Sequence, residues 1–113
     1  MAQTALLDLL TGATATGDGP VYGLMFPFVV ASVQAEISPR CTACVINIMA
    51  RIKGNTFDTL CVLDISEGYI SGEIQPITFP ALIRDVKANI SALSPSPLPA
   101  GDPGVSVYFA TRE

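Results

Sequence analysis

The sequence predicts an all-β protein, a single antiparallel β-sandwich or jelly-roll domain with an N-terminal arm. Two observations support this prediction. Apolar and polar residues alternate with a period of two in several short runs, and turns rich in Gly and Pro separate these runs. The 113 residues suffice for one core, so we predict an arm over residues 1–16 and a sandwich domain over residues 17–113.

The N-terminal segment is apolar, but its periodicity fits either a helical turn or an extended arm, and no partner strand can be assigned to it. Burying a leucine is worth about 1.5–3 kcal/mol, so such a segment is costly to leave in water. We expect it to pack against a neighbouring chain, or alternatively against its own sandwich. If it packs against a neighbouring chain, deleting residues 2–10 should leave the β domain folded; if the leucines belong to the chain's own core, the truncated chain should fail to fold. The leucines predicted at a subunit interface are Leu6, Leu7, Leu9 and Leu10.

A β-hairpin is predicted between residues 43 and 65, because alternate residues from Cys44 to Ile52 are apolar. Gly54-Asn55 fits a two-residue type II′ turn, since Gly accepts a positive φ at the first central position. This turn predicts one register: Ile52 opposite Phe57, Arg51 opposite Asp58, Ala50 opposite Thr59, Ile48 opposite Cys61, Ile46 opposite Leu63, and Cys44 opposite Ile65.

Four further strands are predicted from the same alternation, and the segment Ala81–Leu93 also has helical spacing in part. We predict a strand at its end and allow a helical turn before it. The proline-rich segment Ser94–Gly104 is predicted to be an exposed loop. The predicted strands are Phe28–Ile37, Tyr69–Ile74, Val86–Ala92 and Val105–Thr111.

Composition limits the classes of function. The net charge is −4 and no basic cluster exists, which disfavours nucleic-acid binding. Only 14% of residues are charged, against roughly 25% in a typical domain. We therefore expect other chains to cover part of the apolar surface, the alternative being a monomer with a polar surface of Ser, Thr and Asn. The most apolar run, residues 25–35, is too short to span a bilayer, so no membrane association is expected.

The sequence predicts neither an enzyme nor a cofactor or metal site. Three cysteines and no histidine cannot supply the four ligands of a zinc site, and Cys41-x-x-Cys44 runs into a strand rather than a helix. Asp64 and Glu67 could serve as paired catalytic carboxylates, but they flank a predicted turn, where solvated acidic residues are common.

Five motifs follow one another along the chain: Ala13–Pro20 (ATATGDGP), Ile52–Phe57 (IKGNTF), Ile70–Gly72 (ISG), Ile83–Ala92 (IRDVKANISA) and Val105–Tyr108 (VSVY). Their order resembles that found in the small β-sandwich structural proteins of tailed bacteriophages. The resemblance implies a non-enzymatic virion protein, either a capsid decoration (cement) protein or a head or tail accessory module. It further implies a homo-oligomer, with a trimer as our expectation, which is made in the bacterial host cytoplasm and bridges subunits of the major capsid protein on the capsid surface.

Two sets of residues are candidates for binding. Arg84, Asp85 and Lys87 form either a solvated charged run or an inter-subunit ion pair. As an alternative function, a carbohydrate- or receptor-binding module of a phage tail or head fibre would use the ring faces of Tyr22, Tyr69 and Tyr108.

Overall fold

The chain folds as two antiparallel β-sheets packed face to face, which confirms the predicted all-β sandwich. The computed structural model describes residues 4–23, 30–51, 54–78 and 84–112. The strands are β1 (Thr4–Ala13), β2 (Gly17–Asp18), β3 (Tyr22–Gly23), β4 (Val30–Ile37), β5 (Ala43–Arg51), β6 (Phe57–Asp64), β7 (Ile74–Thr78), β8 (Asp85–Ser94) and β9 (Val105–Arg112). A single 3-10 turn, Ile65–Glu67, follows β6 in the described part of the chain.

The strands are distributed between two sheets that the chain visits in alternation. Sheet I has the order β1-β9-β4-β7. Sheet II has the order β2-β8-β5-β6, and β3 also pairs with β8. Most pairs join strands that are distant in sequence, so the fold is held together by long-range pairing rather than by local hairpins.

The core lies between the sheets and is built from the apolar half of each alternating strand. In β5, Cys44, Ile46, Ile48 and Ala50 are completely buried, whereas the residues between them are half-buried on the opposite face. The facing sheet contributes Val33, Val105, Val107 and Phe109. The period-two pattern of the sequence therefore predicts the core face correctly in these strands.

The β5–β6 hairpin has the predicted register far from its turn and a different one close to it. Ile46 pairs with Leu63 and Ile48 with Cys61, as expected. A β-bulge then intervenes, and Ala50 pairs with Asp58 instead of Thr59. Arg51 pairs with Phe57, so the predicted two-residue loop is wrong, although Gly54 does have the expected positive φ of 69°. The extra residue accounts for the shift, since a bulge sets two residues against one.

The N-terminal segment has a partner strand that local sequence patterns do not reveal. β1 pairs antiparallel with β9 from Thr4 opposite Arg112 to Ala13 opposite Val105, with irregularities near Asp8 and Leu10. It therefore forms one edge of sheet I. The domain boundary at residue 16 stays a prediction.

The connection from β6 to β7 differs from the prediction of a strand at Tyr69–Ile74. Residues 69–73 form a turn, and β7 begins at Ile74 and runs through Pro76 on the edge of sheet I. An edge strand tolerates proline because one side of its backbone has no strand to bond. The Tyr69 hydroxyl accepts a hydrogen bond from the Ala35 amide at 2.8 Å and donates one to the Glu73 carbonyl at 2.7 Å, which anchors the turn to sheet I.

The other predicted elements are largely confirmed. β8 is a strand throughout Asp85–Ser94, while residues 81–83 lie outside the described part of the chain. The proline-rich segment is a loop, but it is not wholly exposed. Leu98 is buried, and its amide donates to the Thr14 carbonyl at 2.8 Å. Asp102, with a side chain only 1% exposed, accepts hydrogen bonds from the Ser38 hydroxyl and the Gly104 amide, so the loop is tied to the β4–β5 turn.

Candidate functional site

Two of the three predicted charged residues, Asp85 and Lys87, lie on the outer face of sheet II. Side chains from β8, β5 and β6 form four rows across it, because strand register places them opposite one another. We call this surface the sheet II face. Its rows are Ala92–Val45–Asp64, Asn89–Asn47–Val62, Lys87–Met49–Thr59 and Asp85–Arg51–Phe57.

One end of the sheet II face is charged and centres on an aromatic ring. The Lys87 ammonium lies 4.5 Å from the centre of the Phe57 ring, and the Arg51 guanidinium lies 5.3 Å from it. Cations at these distances are attracted to the ring face. The Arg51 Nε also donates to Asp85 Oδ2 at 2.7 Å. Both cations are therefore held in place within the chain.

Asp18, on the short strand β2, extends this network. Its carboxylate accepts a hydrogen bond from the Lys87 ammonium at 3.1 Å and another from the Asn89 side-chain amide. The Asn89 bond, followed by the bond and the charge of Lys87, holds the pKa of Asp18 below its ordinary value. The Asn47 amide in turn donates to the Asn89 carbonyl oxygen at 3.4 Å, so polar contacts cross three strands.

These contacts show where the structure places the three residues predicted to form an inter-subunit ion pair. Asp85 pairs with Arg51 and Lys87 pairs with Asp18, both within one chain. The exposed Arg84 donates to the Gly54 carbonyl in the β5–β6 turn. The charges of Asp85 and Lys87 are thus already matched, because strand pairing brings their partners to them. A contact of Asp85 or Lys87 with another subunit would therefore be made in addition to these ion pairs, through the exposed atoms of the two side chains.

Three apolar side chains lie among the polar ones of the sheet II face. Val45 and Met49 are half-buried on it, and Val62, on the edge strand β6, is 53% exposed. These three residues are not among the binding residues predicted from the sequence. The sequence does contain a signal for them: three of the outward positions of β5, Ala43, Val45 and Met49, are apolar, whereas a solvated face would have polar residues there.

The four predicted interface leucines do not act as one group. Leu9 is completely buried in the chain's own core, so its side chain is not available to a second subunit. Leu7 and Leu10 are half-buried and pack against the same core. The backbone of Leu6 pairs with Ala110, and its side chain lies outside the described part of the structure. For Leu7, Leu9 and Leu10 the structure thus matches the alternative that the segment packs on its own sandwich.

The three tyrosines lie in different places. Tyr69 is buried at the β6–β7 connection, and Tyr22 is half-buried with its hydroxyl donating to the Asp8 carbonyl at 2.7 Å. Tyr108 lies on the outer face of sheet I, between two shallow grooves. No stacking platform unites the three rings, since they belong to different surfaces.

The cysteines are all free thiols. Burial raises the pKa of the Cys44 thiol to about 12, and burial also raises the pKa values of Cys41 and Cys61. These thiols therefore stay protonated near neutral pH and pack as small apolar side chains. Within the described ranges, no group of three or more Cys, Asp or Glu residues is arranged to hold a metal ion.

The two-sheet arrangement and its long-range pairing define the class of the protein as an antiparallel β-sandwich. Among solved structures, the chain is similar to the crystal structure of SPBc2 prophage-derived protein YomS, with a TM-score of 0.70. The similarity covers 100% of this chain and 96% of that one, at 13% sequence identity. The chain thus shares its fold with a phage-derived β protein. No protein-family model and no curated protein sequence matches it.

Among the residues that the structure describes, no helix is both long and apolar enough to cross a membrane.

Proposed function

We propose that the chain is a non-enzymatic virion structural protein of a tailed phage, a decoration protein that binds the outside of the assembled head and bridges neighbouring subunits of the major capsid protein. The observation that supports this most directly is the fold shared over the full length with a prophage-derived protein. The order of the phage-like motifs along the sequence and the low charge fraction support it independently.

The proposed contact surface is the sheet II face. It offers the apolar side chains of Val45, Met49 and Val62 to a neighbour, while its charged side chains are held by ion pairs within the chain. A protein contact commonly combines an apolar centre with a polar rim. Because Arg51, Lys87 and Asp18 are already held in place, little side-chain entropy would be lost when this face is covered.

The mechanism of stabilisation is mass action. A protein that binds the assembled shell and not the free capsid subunits shifts the equilibrium toward the shell. The shift amounts to about 2.7 kcal/mol per site at a hundredfold excess over the dissociation constant. No catalytic group is required. A homotrimer, which we also propose, would multiply this effect because several weak contacts act together.

The test is binding of the purified chain to heads assembled without it. The chain should sediment together with these heads, and heads that carry it should stay intact to a higher temperature than heads without it. A Val62→Asp variant should lose binding, because it replaces an exposed apolar side chain of the sheet II face with a charged one. The matched control is Ile70→Asp, since Ile70 is 69% exposed but lies away from that face. Failure of the wild-type chain to bind heads would contradict the proposal.

Sedimentation of the free chain tests the oligomeric state separately. A trimer at micromolar concentration is the expected result. A stable monomer that also does not bind to empty heads would contradict both the trimer and the decoration role.

A further inference from the structure

The outer face of sheet I carries a second surface, distinct from the sheet II face. Strand register aligns Asp8, Tyr108, Gln34 and Ile74 in one row across all four strands. Tyr108 is central to this row, and a groove borders it on each side. This surface is separated from the sheet II face by the whole core, so one can be covered while the other stays free.

The two grooves share Tyr108 and differ in their walls. The larger, about 350 Å³ in volume, lies between Tyr108, Glu36, Ser106 and the Pro39 and Pro103 rings. The smaller, about 130 Å³, lies between Tyr108, Gln34 and Ile74. The larger volume falls at the lower end of the range of small-ligand sites, which begins near roughly 300 Å³.

Polar groups along the grooves are fixed in position. The Gln34 side-chain nitrogen donates to the Gly72 carbonyl at 3.0 Å and to Glu36 Oε1 at 3.3 Å. The Ser106 hydroxyl oxygen accepts a hydrogen bond from the Gly12 amide at 3.1 Å, which leaves its proton to donate elsewhere. An amide, a carboxylate and a hydroxyl are thus held around one aromatic ring without the cost of ordering them on binding.

Among the side chains that the structure describes, those that line the two grooves include no basic residue. Glu36 lines the larger groove and Asp8 stands beside Tyr108 in the row, so an anionic ligand would be repelled. A neutral ligand rich in hydroxyl groups fits better, because it can donate to the carboxylate and accept from the hydroxyl. A sugar ring also has an apolar C–H face that packs against an aromatic ring.

We propose that these grooves form a binding site for a neutral oligosaccharide, with Tyr108 as the stacking residue and with Gln34 and Glu36 as hydrogen-bonding residues. The site goes beyond the decoration role and does not depend on it, since it lies on the opposite sheet. On a decorated head whose sheet II face is turned to the shell, it would face outward.

The test is a titration of the isolated, isotope-labelled chain with maltohexaose, cellohexaose, chitohexaose and mannohexaose, followed by amide chemical shifts. At about 10 mM ligand, millimolar dissociation constants are measurable. At least one oligosaccharide should shift the amides of Gln34, Glu36, Ser106 and Tyr108. Shifts confined to the sheet II face, or no shift with any of the four, would overturn the proposal.

Variants test the role of each group. Tyr108→Ala should weaken binding roughly tenfold, whereas Tyr108→Phe should bind within about threefold of the wild type because it keeps the ring. Gln34→Ala should also weaken binding, which keeps the test valid if Tyr108→Ala does not fold. Val62→Ala, on the sheet II face, is the matched control and should leave binding unchanged. Equal binding by Tyr108→Ala and the wild type would overturn the proposal, as would selective binding of trilysine in place of the sugars.

Discussion

Arg51 and Asp85 form an ion pair across the central strands of sheet II, with Arg51 Nε 2.7 Å from Asp85 Oδ2. The sequence predicts Asp58 opposite Arg51 and assigns Asp85 to a subunit interface. The β-bulge in β6 moves Phe57 opposite Arg51, and β8 brings Asp85 to its other side. The long-range pairing of β5 with β8 therefore decides which carboxylate the guanidinium meets.

A double-mutant cycle measures this pair. Arg51→Gln and Asp85→Asn should each destabilise the fold, with a coupling energy of about 1 kcal/mol, because both side chains are mostly shielded from solvent. The control cycle combines Arg51→Gln with Asp58→Asn and should show no coupling. Urea unfolding supplies the free energies. Coupling in the control cycle but not in the first would restore the pairing predicted from the sequence.

The burial of Leu9 changes the expected effect of altering the N-terminal segment. Leu9→Ala should lower the free energy of unfolding by about 2–5 kcal/mol, because it leaves a cavity in the core. Urea unfolding measures the difference. Leu7→Ala, at a half-buried position of the same strand, is the control and should cost less. An equal or smaller loss for Leu9→Ala would contradict the burial of Leu9.

Deletion of residues 2–10 should prevent folding, since it removes most of β1 and exposes the edge of β9. This reverses the expectation from the sequence. Thermal unfolding of the truncated chain, followed by circular dichroism, shows whether it folds. A truncated chain with an intact melting transition would show that the segment is an independent arm after all.

Substitutions at two glycines, Gly54 and Gly104, which have a similar positive φ, distinguish the cost of backbone strain from the cost of a steric clash. Gly54 has φ 69° and open space where a Cβ would lie, while a Cβ on Gly104, at φ 73°, would lie 2.6 Å from the Ala13 carbonyl oxygen. Gly54→Ala should cost about 1 kcal/mol from strain alone. Gly104→Ala should cost at least about 1 kcal/mol more, because the β1 backbone must shift. Equal melting temperatures for the two variants would contradict the close approach of β1 and the loop before β9.

Asp102 makes the fold sensitive to acid. The Gly104 amide, the Ser38 hydroxyl and the nearby Arg40 hold the pKa of Asp102 below its ordinary value. A carboxyl group with a lower pKa in the folded than in the unfolded state stabilises the fold at pH values above the unfolded-state pKa, which is about 3.9 for Asp. That contribution is lost as the pH falls through the folded-state pKa.

Urea unfolding of the wild type between pH 6 and pH 2 should therefore show a loss of stability that begins near pH 4. Asp102→Asn should be less stable at pH 6 and should lose less stability on acidification. Ser38→Ala should show an intermediate pH dependence, because it removes one of the bonds that favour the carboxylate. Identical pH profiles for the wild type and Asp102→Asn would contradict this role.

The sequence predicts the elements that have a strict alternation and misses those that depend on distant strands. β5 and β9 have clear period-two patterns, so their core faces follow from the sequence alone. In β8 the alternation holds from Val86 to Ile90 and then shifts, because an irregularity in its pairing with β5 turns Ala92 outward and buries Leu93. β1 has no clear period-two pattern, because its leucines are adjacent in pairs and its course is irregular near Asp8 and Leu10. The predicted position of β7 is too early because Pro76 indicates a strand end in the sequence, although an edge strand accommodates it.

The candidate surfaces are predictable only in part, because they too depend on the pairing of strands that are distant in sequence. The sequence identifies Asp85 and Lys87 as charged neighbours, but their partners Arg51 and Asp18 lie 34 and 69 residues away in the chain. The apolar side chains of the sheet II face, Val45, Met49 and Val62, belong to β5 and β6, whose register includes a bulge. The row through Tyr108 joins four strands whose order cannot be derived from local patterns.

The position of the chain on a virus particle tests the decoration role most directly. An electron cryo-microscopy reconstruction of purified particles should show trimers of this β-sandwich at repeated sites on the outer surface of the head. Its sheet II face should be turned toward the capsid subunits or toward a second copy. A density at the tail tip alone, or purified particles without the chain, would contradict the account.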